Sequence, residues 1–121
     1  MTFETVSKLA FALCLSLGLV MFFVPGLAFW LFGIDGGSSA VFIGKRVSMF
    51  FWGMAVLAFM AAETESDETR RVVSAAFATL MGGLAILGLI ELARGAAGAG
   101  ILVAVLIEGF FAFYFTRFLR D

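Results

Sequence analysis

The 121-residue chain has no histidine, one cysteine (Cys14) and one proline (Pro25). Without imidazole there is no usual axial ligand for haem, no usual nitrogen ligand for zinc, no histidine for chlorophyll and no histidine-dependent triad. A lone cysteine excludes an intrachain disulfide, a paired-thiol redox motif and a four-cysteine metal site. Cys14 stands at helical spacing from Ala10 and Gly18 in an apolar run and reads as a small packing residue. Charge is also scarce, at 14% of residues, with 8 bases against 9 acids. That balance gives no electrostatic signature for nucleic acid. No nucleophile and base can be named together, so the chain reads as non-enzymatic, with no cofactor expected and room for a bound lipid.

What the chain has in abundance is apolar length. Hydrophobic residues make up 63% of it, 16 of them phenylalanine, and the mean hydropathy is +1.11. These values belong to a protein dissolved in lipid, where about 20 apolar residues make one helical crossing. Four stretches reach or approach that length. The expected fold is an all-α integral membrane protein, a single domain of four transmembrane helices in an antiparallel up-down bundle. Its spans fall at about 6–24, 40–62, 72–92 and 98–118, and a short interfacial helix at 26–33 follows span one.

Thr2 is placed to cap the first helix, and Glu4 suits its positive end. Lys8 followed by an apolar run, Pro25 and the small-x-small Gly26-Leu27-Ala28 resembles a secretory signal. Retained, the same segment is a signal-anchor or first span. Pro25 lacks an amide hydrogen and ends or kinks that span. Beyond it, Trp30 between Phe29 and Phe32 reads as an aromatic anchor at headgroup depth. Ile34–Ser39 is a turn whose serines are placed to cap span two. The acidic stretch Glu63–Glu68 does not have the spacing of a calcium loop and reads as a solvated connection, with Ser66 capping span three. Its brevity makes spans two and three antiparallel neighbours. Span three carries Ser74, Ala78 and Gly82 at four-residue intervals, as span one carries Ala10, Cys14 and Gly18; small residues so spaced let helix backbones approach. Tyr114, Arg117 and Arg120 finish span four as interface anchors. Lys8, Arg70, Arg71, Arg117 and Arg120 fall on one side and Lys45, Arg46 and Arg94 on the other, which favours N-in and C-in.

Glu108 lies in the middle of span four, where a charge is costly and needs a partner. From the same side, Glu108 is about ten residues deep and Arg46 about six, a difference of roughly 6 Å that a long guanidinium can close. Lys45 points about 100° away from Arg46, so one of the two bases is expected to pair with Glu108. Gly109 beside it permits close approach. Glu91, one turn from Arg94, forms an interfacial ion pair or competes for a base from span two.

The layout resembles several uncharacterised families of small bacterial four-helix inner-membrane proteins. The likeness rests on a first helix ending in a proline, the Pro…Leu-Phe-Gly element of Pro25–Gly33 and the basic Gly44-Lys45-Arg46 opening of helix two. The resemblance implies this topology and a bacterial inner membrane. It implies no chemistry, since those families have no assigned activity. The minimal multidrug transporters do not match, because their essential carboxylate lies in the first helix and no charge falls between Leu9 and Phe32 here.

The expected function is association: an accessory or assembly subunit of a membrane complex, or a homo-oligomer, joined through the small-residue stripes. The alternatives are a small proton- or ion-coupled transporter or channel with Glu108 as the protonatable site, and a binder of a lipid, quinone or carotenoid in a phenylalanine-lined groove.

Overall fold

A computed structural model describes residues 1–121 and contains five helices and no strand: α1 (Phe3–Phe23), α2 (Pro25–Phe32), α3 (Ser38–Ala61), α4 (Asp67–Ala93) and α5 (Ile101–Arg120). All but α2 are long and apolar enough to cross a membrane. The protein is thus a bundle of four candidate membrane helices with a short fifth helix inserted after the first. Helix α3 has the lowest hydropathy of the four, 1.4, because Lys45 and Arg46 lie within it.

The helix ends follow local chemistry. Thr2 Oγ1 accepts the Thr5 amide at 3.2 Å, and Ser66 Oγ accepts the Thr69 amide at the same distance, each satisfying one of the amides a helix start leaves free. The Ser66 cap draws α4 back to Asp67, a turn earlier than hydropathy alone suggests. Ser38 and Ser39 do not cap α3; Gly37 occupies that position with no side-chain bond, and both serines are inside the helix. Pro25 is the first residue of α2, where its missing amide hydrogen costs nothing. Gly33 ends α2 in the left-handed conformation, φ 65°. The glycine-rich turn before α5 delays that helix to Ile101.

Packing divides the bundle into two tight pairs, α1 with α3 and α4 with α5, which meet each other along thinner seams. The brief 62–66 connection does bring α3 beside α4, yet their contact is slight. Lipid gives helices no hydrophobic reason to associate, so close backbone approach decides which pairs are tight. Along α1, Ala10, Cys14 and Gly18 are buried, as are Gly44, Ser48, Ala55 and Ala58 along α3, and Gly44 lies against Met21 of α1. The Trp52 indole lies directly over Gly18 and donates from Nε1 to the Leu15 carbonyl at 3.3 Å. Between α4 and α5, Gly88 admits Val105 and Gly82 meets Ala112. Hydroxyls that would otherwise face lipid bond back into their own helices, Ser16 to Ala12 O at 2.7 Å and Thr79 to Ala75 O at 2.8 Å.

All four long helices meet in a core at the end of the bundle that carries both termini. Val6, Ala10, Cys14, Ala58, Val73, Phe77, Met81, Phe111 and Phe115 pack there, with Phe77 stacked on Phe115 at 4.8 Å between centroids and Phe3 edge-on to Phe115 at 6.3 Å. Such aromatic pairs contribute about 0.5–1.5 kcal/mol each beyond their area. The Ser7 and Ser74 hydroxyls are buried without partners.

Candidate functional site

The aromatic core occupies only one half of the bundle, and the opposite half is hollow. A cavity of about 320 Å³ lies between the two helix pairs, floored by Met81 of the core and walled by Leu17 and Val20 of α1, Phe51 of α3, Leu84 of α4 and Ala104 of α5. Helix α2 lies across its far end through Ala28, Leu31 and Phe32. Of the 15 lining residues 14 are hydrophobic, and the remaining one is Glu108.

Three local features hold α2 there. The Gly98 amide donates to the Phe32 carbonyl at 2.7 Å, tying α2 to the turn that precedes α5. The bare Cα of Gly33 sits against Gly98, and Gly100 lies so close to the Leu31 carbonyl that any Cβ would collide with it. Glycine is required at this crossing for closeness, and at Gly33 also for backbone angle. Phe29 folds inward over Gly36, whereas Trp30 projects outward at 76% exposure, the disposition of an interface anchor.

Glu108 reaches the inner wall because α5 buries Phe111 and Phe115, one and two turns further on, against the core. Its Oε2 is buried and has no hydrogen-bond partner. A second cavity of about 290 Å³ begins at the same residue, shares Leu84 and Phe32 with the first, and extends past Gly88 to Glu91, Ala96 and Ala97 at the end of the bundle. Glu108 therefore lines two neighbouring hollows, one apolar and one leading toward the α4–α5 turn.

The expected pairing of Glu108 with Lys45 or Arg46 is not formed. The ion pairs in the structure are Lys8–Glu4 at 2.8 Å, Lys8–Glu63 at 3.5 Å and Arg94–Glu91 at 2.9 Å. Two geometric causes separate the bases from the acid. Helices α3 and α5 are diagonal in the bundle, each contacting α1 and α4 rather than the other. Gly44 and Ser48 also turn one face of α3 toward α1, which sends Lys45 and Arg46, about 100° and 200° further round than Gly44, to exposed positions. Lys45 Nζ instead lies 5.7 Å from the centroid of Phe22. Rotation about the helix axis thus decides where these bases point. Glu91 and Arg94 do pair with each other, and Gly109 has no neighbour that would require its smallness.

The remaining candidates fall into two groups. Ala10, Cys14, Gly18 and Ser74 are buried within the chain, and Ala78 and Gly82 are half-buried along α4. At the terminus-bearing end, Arg117 and Arg120 are exposed, Arg117 lies over Phe113 at 5.9 Å, and Tyr114 packs on Phe110 at 5.0 Å. A polar depression there of about 260 Å³ is lined by Arg70 and Arg71 but also by Asp67 and Asp121, so it presents no single sign of charge. Arg70 is moreover engaged by the Thr64 carbonyl at 3.1 Å.

The hollow itself has no signature in the sequence. Phe32, Leu84, Ala104 and Met81 are ordinary apolar residues in apolar helices, and only the lone carboxylate among them pointed to this region. No protein-family model, curated protein or solved structure matches the chain.

Proposed function

We propose that the protein is a non-enzymatic, multi-pass membrane protein that binds a lipophilic small molecule in the hollow half of its bundle, with Glu108 as the one polar group that orients it. The observation that carries this reading is the cavity of about 320 Å³ whose only non-hydrophobic lining residue is Glu108, with Oε2 unpartnered. Natural sites for small apolar molecules share that plan of apolar walls with a few placed polar groups, and their volumes begin at about 300 Å³. At roughly 30 Å³ per water-sized group, the space takes on the order of ten methylene-sized groups.

The basic residues support an orientation with both termini on the cytoplasmic side, since Lys8, Arg70, Arg71, Arg117 and Arg120 share one end, and the resemblance carried by Pro25–Gly33 and Gly44-Lys45-Arg46 supports a bacterial inner membrane. Association with other subunits loses one argument, because Ala10, Cys14, Gly18 and Ser74 are spent on packing inside the chain. The test is extraction from native membranes in a mild detergent, followed by organic extraction, mass spectrometry and an absorption spectrum. Wild type is expected to carry a lipophilic molecule in near-stoichiometric amount, and Ala104→Phe, which fills the cavity from α5, to lose it. Equal retention by both proteins, or none by wild type, removes the reading.

A further inference from the structure

The chemistry of the hollow narrows its occupant, and this inference rests on the proposed lipophile-binding function. We infer that the preferred ligand is a lipophilic amine, an apolar chain or ring system bearing one positively charged, hydrogen-bond-donating nitrogen, with its apolar part in the larger cavity and its nitrogen at Glu108.

The lining of the hollow has an acceptor and no fixed donor. No lysine, arginine, serine, threonine, asparagine, glutamine, tyrosine or tryptophan lines the larger cavity. A carboxylate ligand such as a fatty acid, or a phosphate ester, would find no base to meet it and would face Glu108 as a like charge. A quinone or other carbonyl compound offers acceptors only, so a single proton on Glu108 would be the sole bond available to it. An ammonium group matches what is present. It donates to the unpartnered Oε2 and neutralises the carboxylate in place, which removes the cost of an isolated buried charge.

The second cavity lies on the matching side. It shares Glu108, Leu84 and Phe32 as walls with the first and reaches Glu91, whose own charge is held by Arg94 at 2.9 Å. A cationic head entering from the α4–α5 turn would pass one carboxylate and stop at the next, with its tail running ahead into the apolar half. No base lines either cavity. Lys45 and Arg46, the nearest bases in sequence-based expectation, point away from the lumen and do not compete for Glu108.

The experiment uses the full chain in nanodiscs of phosphatidylcholine, a lipid without net charge, and three probes with one ten-carbon tail and different heads: decylamine, decanol and decanoate. Bound probe is counted by native mass spectrometry over a concentration series. Decylamine is expected to bind wild type roughly ten- to a hundredfold more tightly than decanol, the range of a charge-assisted hydrogen bond, with decanoate the weakest. Glu108→Gln is expected to retain decanol binding and to lose the preference for the amine. Ala104→Phe is expected to lose all three probes. Decanol or decanoate binding wild type as tightly as decylamine overturns the amine assignment while leaving the lipophile site intact, as does an amine preference that persists in Glu108→Gln. Failure of every probe to bind wild type overturns the site itself. The wild-type comparison decides the question even where a variant fails to fold.

Discussion

Gly18→Ala is expected to be among the most damaging single-methyl additions in the molecule, because the space its Cβ needs is occupied by the Trp52 indole. For the methyl to fit, the indole must swing away. It would then forfeit the bond from Nε1 to the Leu15 carbonyl at 3.3 Å and its packing on Phe22, at 5.5 Å between centroids. Overpacking costs about 1–3 kcal/mol and a lost hydrogen bond about 0.5–1.5 kcal/mol. The better helix propensity of alanine returns about 0.5–1 kcal/mol. The net expectation is a loss of about 1–3 kcal/mol. Reversible unfolding in mixed micelles by titration with SDS, followed by far-ultraviolet circular dichroism, measures it. The decisive comparison repeats Gly18→Ala in a Trp52→Leu background. With the indole gone the methyl meets no obstacle, and the substitution should become neutral or slightly stabilising. An equal cost in both backgrounds refutes the packing of α1 against α3 through this contact. Gly83→Ala, at a position with nothing within 4 Å of the added carbon, is the control and should gain a few tenths of a kcal/mol up to about 1.

Glu108→Leu in ligand-free protein should leave stability unchanged or raise it by about 1–3 kcal/mol, because it removes a buried polar atom without a partner. A loss of about 3–5 kcal/mol would instead reveal a buried ion pair, and the thermal melt distinguishes these signs. Ser74→Ala, which deletes an unpartnered hydroxyl in the core, should likewise be neutral or stabilising by the same melt; a loss above about 1 kcal/mol would mean that the hydroxyl is bonded. Cys14 is fully buried, so it should resist a maleimide in the folded protein and react once SDS has unfolded it, and rapid stoichiometric labelling of the native state would contradict the tight α1–α3 pair. Gly33→Ala forces a side chain onto a φ of 65° at a cost of about 1–2 kcal/mol and crowds the Gly98 backbone. Hydrogen exchange at the Gly98 amide should quicken, and an unchanged rate would mean that α2 is not held through that bond.

The elements of the fold were legible because they are written in local chemistry. Apolar length marked the four long helices, α3 among them despite Lys45 and Arg46, Pro25 marked the break after the first, and Thr2 and Ser66 marked two helix starts. The residues of the stripe Ala10-Cys14-Gly18 are buried, but a stripe does not say what covers it. Here α3 does, through Trp52, and no second chain is needed. Glu108 was conspicuous as a carboxylate in lipid, whereas its surroundings were not. Whether it meets Arg46 depends on which helices are diagonal and how far α3 is rotated, and both are set by contacts of Gly44, Ser48 and Gly88 with residues distant in sequence. The cavity is still less visible, since it arises where two well-packed hairpins fail to fill the space between them.

The bond from the Gly98 amide to the Phe32 carbonyl has a consequence for the order in which the protein is made. It closes a ring of main chain that begins at the end of α2, passes through α3 and α4, and returns just ahead of α5. Phe32 is synthesised well before Gly98, so this bond cannot form until three long helices have been laid down. The same delay applies to Glu108, which arrives on the final helix. The hollow therefore exists only after the last helix is in place, since four of its lining residues, Val103, Ala104, Ile107 and Glu108, belong to α5.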